Sequence, residues 1–258
     1  MLTKTLCAKN SIVGVRPYRR ARTLPVSEEF IRTFHSGIHS FEIWFDEKAR
    51  ILVCSSESEH EIKKRITSFY PAVLTYTPEE IIIGSEEDTF WIAEAQLANP
   101  IYPIRTDVSD DPLSTLIANM VGHRVIYQVL FTPAPKKYSL KLLKASRSVQ
   151  SGRVEGWINP RVVPPGKVEK DLSKALAEKA RSPLYVVDVR LCVFGDDYEV
   201  LNGFLAFFEL FRSVDQHFKL RVVKGITHKK TVEKNAEMMK MLLKRCMILS
   251  PFRKKSIL

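Results

Sequence analysis

An α+β fold, built as two consecutive ferredoxin-like (split β-α-β) layers with a C-terminal amphipathic helix, is what the sequence predicts. Three observations lead there. Short runs alternate apolar and polar residues at the strand period, longer runs place apolar residues on one helical face, and the two kinds follow one another as hairpin, helix, strand, then strand, helix, strand, helix, strand.

In "HSFEIWFDEKARILVCSS", Phe41, Ile43 and Phe45 alternate, as do Ile51 and Val53, and the polar break Asp46-Glu47-Lys48 between them makes this a hairpin. In "SESEHEIKKRITSFYP", Ser56 with Glu59 three residues later is expected to form a capping box, and Ile62, Ile66, Phe69 and Tyr70 share one face. Glu59 with Lys63 and Glu61 with Arg65 have the spacing of intrahelical ion pairs, and Pro71 ends the helix. "AVLTYT" and "DTFWIAEAQL" read as β, and "PIYPIRTDVSDDPL" closes the unit. Asp111 then caps a helix with Pro112 in its first turn, a strand runs over Arg124–Phe131, and a helix spans about Ser139–Val149. "QSGRVEGWINPRVVPPGK" reads as a flexible loop. "KVEKDLSKALAEKAR" is helical, and "PLYVVDVRLCVF" is a strand with Tyr185, Val187, Val189, Leu191 and Val193 on one side. "EVLNGFLAFFELFRSV" is an apolar helix with Phe207 and Phe208 in the core, and "HFKLRVVKG" is a returning strand. A final helix, about Thr227–Met247, sets Val232, Ala236, Met239, Leu243 and Cys246 against Lys230, Lys234, Lys240 and Lys244; its apolar stripe is expected to pack on the protein's own sheet. The expected divisions are a basic arm at 1–35, a hairpin unit at 36–110, a second β-α-β unit at 111–226 with its loop at 150–167, and a basic helix and tail at 227–258.

The 258 residues are 45% apolar, enough for a sizeable core. No run has the length and apolarity of a membrane helix, and the N-terminus lacks a signal-peptide core, so a cytoplasmic address is expected, with the inner face of the membrane as a docking place. Cys7, Cys54, Cys192 and Cys246 are too scattered for a zinc site or disulfide framework and read as buried thiols. The net charge of +11 is uneven: residues 1–22 hold six Lys/Arg and no acid, residues 217–258 hold twelve and two acids, and the intervening stretch holds 22 bases and 27 acids. Basic ends of this kind favour an anionic partner. The candidate contact residues are Arg16, Arg19, Arg20 and Arg22, with Tyr18 as a stacking ring, and Lys229, Lys230, Lys234, Lys240 and Lys244.

Chemistry-bearing motifs are sparse. There is no GxxxxGK[ST] or GxGxxG phosphate loop, and no GxSxG elbow. His35 and His39 are four apart, but Gly37 lies between them and no HExxH glutamate accompanies them, so a loop or strand entry is expected rather than a metal pair. Asp110-Asp111 and Asp196-Asp197 each precede a helix, where capping explains them. No catalytic residue, cofactor or metal is therefore assigned.

The order "FEIWFDEKARILVC", "SFYPAV", "NPIYPIRT", "DPLSTLIANM", "RVIYQVLFTPAP" and "PLYVVDVRLCVF" before a long apolar helix resembles the region preceding the motor in conjugative type IV secretion ATPases of the HerA and FtsK superfamily. The likeness covers about Phe41 to Arg245. In those relatives a helix with a late arginine, here Arg245, leads through a short apolar segment, here "MILS", to the nucleotide-binding domain, whereas this chain turns at Ser250-Pro251. The resemblance implies a non-catalytic accessory or docking module of a DNA-transfer or mobile-element machine, partnered by a separately encoded ATPase or a membrane-bound assembly. The alternative is a nucleic-acid-binding protein of replication or regulation that uses its basic termini directly.

Overall fold

The structure, a computed structural model, describes residues 11–17, 27–46, 48–78, 89–99, 112–155, 161–195, 198–212 and 216–227. In chain order the elements are β1 (Ser11–Pro17), α1 (Ser27–Arg32), β2 (His39–Phe45), β3 (Ala49–Ser55), α2 (Glu59–Phe69), β4 (Val73–Tyr76) and β5 (Thr89–Leu97). There follow α3 (Pro112–Met120), β6 (Val125–Pro133), α4 (Lys136–Gln150), β7 (Arg153–Glu155), β8 (Arg161–Val163), α5 (Lys167–Arg181), β9 (Tyr185–Phe194), α6 (Tyr198–Glu209) and β10 (Phe218–Thr227). The class is α+β.

Eight strands form one sheet in the order β10-β5-β9-β6-β2-β3-β1-β4, antiparallel at every step. The order is internally repeated. If each half is counted from its own first strand, β1 to β4 lie as fourth, first, third, second, and β5, β6, β9 and β10 do the same. The halves meet through their second strands, β2 and β6, in a ladder running from His39 opposite Phe131 to Phe45 opposite Val125.

Strand alternation directs one apolar set to the helix-covered face. In the first half Val13 and Val53, joined by Phe131 of the neighbouring β6, pack with Phe30 and Phe34 at α1 and with Ile62 and Ile66 of α2. Edge-on aromatic contacts knit this cluster, including Phe30–Phe34 at 5.3 Å and Phe34–Phe131 at 5.4 Å between ring centres. In the second half Ala93, Ala95, Val125, Tyr127, Val189, Leu191 and Val193 meet Leu116 and Met120 of α3 and Val200, Leu201, Phe204, Phe207 and Phe208 of α6. Gly203 permits the close approach of α3 and α6, since a Cβ there would come 2.7 Å from the Asn119 side-chain nitrogen.

Several expectations need correction. The α2 capping box is made by Ser58 and Glu61, not Ser56 and Glu59, because the helix begins at Glu59 and the cap must stand one residue before it. Glu61 is occupied by that cap, so Arg65 turns instead to Glu57 at 2.5 Å; Glu59 does pair with Lys63, at 2.6 Å. The stretch expected as a flexible loop holds the small ladder of β7 with β8, its ends closed by Arg153 opposite Val163 and Glu155 opposite Arg161. β1 and α1 fall where only a basic arm was expected, yet β1 lies between β3 and β4. β5, expected with the first unit, lies between β10 and β9. The final amphipathic helix lies outside the described residues.

Candidate functional site

Of the predicted contact residues, Arg16 is on β1, exposed, with its guanidinium 5.7 Å from the centre of the Tyr76 ring. That ring lies directly on Gly14, where a Cβ would come 2.3 Å from it. Arg19, Arg20, Arg22, Lys229, Lys230, Lys234, Lys240 and Lys244 lie outside the described residues, as do Tyr18, Cys7 and Cys246.

His39 and His35 do not form a metal pair. His35 is exposed, whereas His39 opens β2 and is 1% exposed. The His39 Nε2 is 2.6 Å from the Ser36 carbonyl and so carries the hydrogen donated to it; Nδ1, 2.7 Å from Ser55 Oγ, accepts from that hydroxyl. Burial holds the imidazole pKa below its ordinary value. Ser55 Oγ also accepts from the Glu57 amide at 3.0 Å, so this serine–histidine couple is a buried strut joining β2, β3 and the start of α2. Among the described residues no cluster of three or more His, Cys, Asp or Glu could hold a metal ion.

The second face of the sheet carries a line of polar residues. Strand register places Arg221, Glu94, Arg190, Gln128 and Glu42 opposite one another from β10 to β2, and the line continues through Leu52 and Gly14 to Tyr76. Glu42, 4% exposed, accepts hydrogen bonds from Ser40 Oγ, Trp44 Nε1 and Gln128 Nε2, each at 2.7 Å. Arg190 donates from Nη2 to Asp188, and its Nε is 3.9 Å from Glu94. Trp44, Ile126 and Phe194 flank the line and cluster with its Leu52, and Cys192 packs on them. Cys54 is buried, as expected, whereas Cys192 is half-buried; desolvation still pushes the Cys192 thiol up to about 12, which favours the protonated form. These polar groups act as internal fastenings.

The accessible chemistry lies elsewhere. Between β6 and β9, which pair out to Pro133 opposite Tyr185 and then through Ala134 N–H to the Leu184 carbonyl, the chain inserts α4, the β7–β8 ladder and α5. The two helices pack on one another through Leu142, Leu176, Ala180 and Leu184, with Ser146 and Ser173 exchanging hydrogen bonds at the contact. Neither has a substantial contact with another described element. They form an arm with a core of its own.

The arm is strongly basic. Residues 136–181 hold twelve Lys/Arg and four acids, and α4 alone holds five bases and no acid. Lys136, Lys137, Lys141, Lys144 and Arg147 are all exposed, because α4 turns Leu142, Leu143, Ala145, Ser146 and Val149 towards α5 and leaves the basic side to water. On α5 the exposed charges are mixed in sign: Lys167, Lys170, Asp171, Lys174, Glu178 and Arg181. Its half-buried Lys179 has its pKa lowered to about 8 by desolvation. The larger part of the unbalanced charge is therefore that of α4. Sequence reading missed this surface by counting residues 23–216 as one slightly acidic body; fifteen residues "KKYSLKLLKASRSVQ" without an acid were the available signal.

A family model described as a domain of unknown function, DUF8128, matches residues 2–202. The chain belongs to this family. The DUF8128 match runs through the whole α4–α5 arm and ends within α6, before β10. Curated proteins give no match to this DUF8128 chain.

Proposed function

We propose that this chain is a non-catalytic docking module, built from two ferredoxin-like halves joined edge to edge, that serves a DNA-transfer or mobile-element machine. The ferredoxin-like reading is supported by the repeated strand order, by the antiparallel pairing throughout, and by helices after the first and third strands of each half. The DNA-transfer reading rests on the segment order that resembles the pre-motor region of conjugative ATPases: the hairpin β2–β3, the α2 helix closing on Tyr70-Pro71, the Pro112 helix start, then β6, β9 and α6. No helix among the described residues is long and apolar enough to cross a membrane.

The observation that carries the docking role is the arm. It is inserted where a two-residue turn would join β6 to β9, and it presents a cationic face on a helix pair with its own core. An ATPase of that superfamily or a membrane-bound assembly is the proposed partner. Replacing residues 135–183 by Asn-Gly should leave a sheet that still unfolds cooperatively, since that dipeptide suits the two-residue turn of an antiparallel pair. The full chain, immobilised and exposed to its native lysate, should retain a HerA/FtsK-type motor that the arm-deleted chain does not. Saturable ATP binding or ATP turnover by the isolated chain would overturn the proposal.

A further inference from the structure

We infer that the outward face of α4 is a binding surface for the phosphate backbone of nucleic acid, read without regard to sequence. Lys137, Lys141 and Lys144 recur at intervals of four and three residues and so line one side of the helix, with Lys136 and Arg147 beside them. From Lys137 to Arg147 the helix rises about 15 Å, which matches about four nucleotide steps of one strand measured along the duplex axis. Long, flexible cationic side chains can reach the phosphates over that stretch.

The ladder is partly ordered before any ligand arrives. The ammonium groups of Lys137 and Lys141 each lie 5.7 Å from the centre of the Tyr138 ring, which steadies two otherwise mobile side chains from one half-buried aromatic. Nothing acidic on α4 offsets them. On α5 Asp171 and Glu178 stand among the exposed bases, which leaves that helix a poorer rival for the same ligand.

A lipid surface carries the same phosphate chemistry, but a helix that lies in a membrane needs an apolar face to bury. On α4 that face is already spent on α5, through Leu142, Leu143, Ala145 and Val149. Its one large apolar side chain in the open is Leu140, at 66% exposure, isolated among lysines. A polymer of phosphates at regular intervals fits a row of cations better than a fluid surface does. The inference is independent of the docking proposal: a chain that met no motor protein would still present this ladder.

The test uses the full chain and a fluorescein-labelled duplex of random sequence, with affinity measured by anisotropy over a range of salt. Each lost phosphate contact should flatten the slope of log affinity against log salt by about 0.9, so Lys137→Gln, Lys141→Gln, Lys144→Gln and Arg147→Gln together should lower it by roughly 3 to 4. The basic ends remain in both proteins and cancel in the difference. Replacing Lys137, Lys141 and Lys144 by Arg should preserve the slope, which separates loss of charge from loss of fold. Lys170→Gln with Lys174→Gln should change it little. An unchanged slope in the quadruple variant would overturn the inference. So would a variant that keeps its duplex affinity but no longer binds phosphatidylglycerol vesicles, since that outcome assigns the ladder to lipid.

Discussion

Glu42 is the single side chain on which the second face of the sheet most depends. Its carboxyl group satisfies three donors from three residues, two on its own strand and one on β6, across the ladder that joins the halves. Removing it strands all three. Ser40 and Trp44 are buried and Gln128 half-buried, and a buried donor left without an acceptor costs about 1–3 kcal/mol, so Glu42→Ala should destabilise by at least about 2 kcal/mol, a large share of the roughly 5–15 kcal/mol that holds a domain folded. Glu42→Gln keeps one carbonyl oxygen, which can serve Ser40 and Gln128, and sets an NH2 group against the Trp44 indole. One donor is stranded instead of three, and the cost should be about 1–3 kcal/mol. Urea unfolding followed by tryptophan fluorescence measures both, and Trp44 itself lies in the network as a local reporter. Glu42→Ala with Trp44→Phe should be less damaging than the separate losses added together, since the pair shares one hydrogen bond. A cost below about 1 kcal/mol for Glu42→Ala, or equal costs for Ala and Gln, would refute the view that this carboxyl fastens the joint.

Two further outcomes are expected. Phe204→Ala, at a side chain with no exposure between α6 and the sheet, should cost about 3–5 kcal/mol, and Phe207→Ala or Phe208→Ala should fall in the same range; urea midpoints will show it, and neutral aromatic truncations would remove α6 from the core. The folded state holds His39 below its ordinary pKa, so the unfolded chain binds the extra proton first as pH falls. The stability that His39 contributes should be complete above about pH 6.5, decline as pH drops below it, and level off under the folded value; comparison with His39→Asn at about pH 8 and about pH 5 isolates it, and an equal difference at both would contradict the burial argument.

Much of the sheet was legible because alternation is a local property. The side of β9 formed by Tyr185, Val187, Val189, Leu191 and Val193 can be read from ten letters, and so can the β2–β3 hairpin. What escaped was relational. Glu42, Gln128, Arg190 and Glu94 are single letters in four separate, mainly apolar strands, and only register makes them a line. β1 has Gly14 in the middle and Pro17 at its end among few apolar residues, so its local pattern is weak, although the sheet holds it from both sides. The capping box failed by two residues because "SESEHE" offers Ser at two positions and Glu at three, and the choice was made by where α2 packs rather than by the motif. The basic face of α4 was hidden by arithmetic over too long a window.

The strand order also dictates a sequence of events during synthesis. Every partner of β1, β3 and β4 has been made once Tyr76 leaves the ribosome, so the N-terminal half can close on itself early. β5 then has no partner until β9, whose first residue is Tyr185, a wait of roughly 5–20 s at ordinary translation rates. During that interval β6 can add to the free edge of β2, and the arm, whose contacts are local, can form before the strand that follows it exists. The finished first half is thus a template on which the second is laid strand by strand, and the edge of β6 is left open until β9 arrives to cover it.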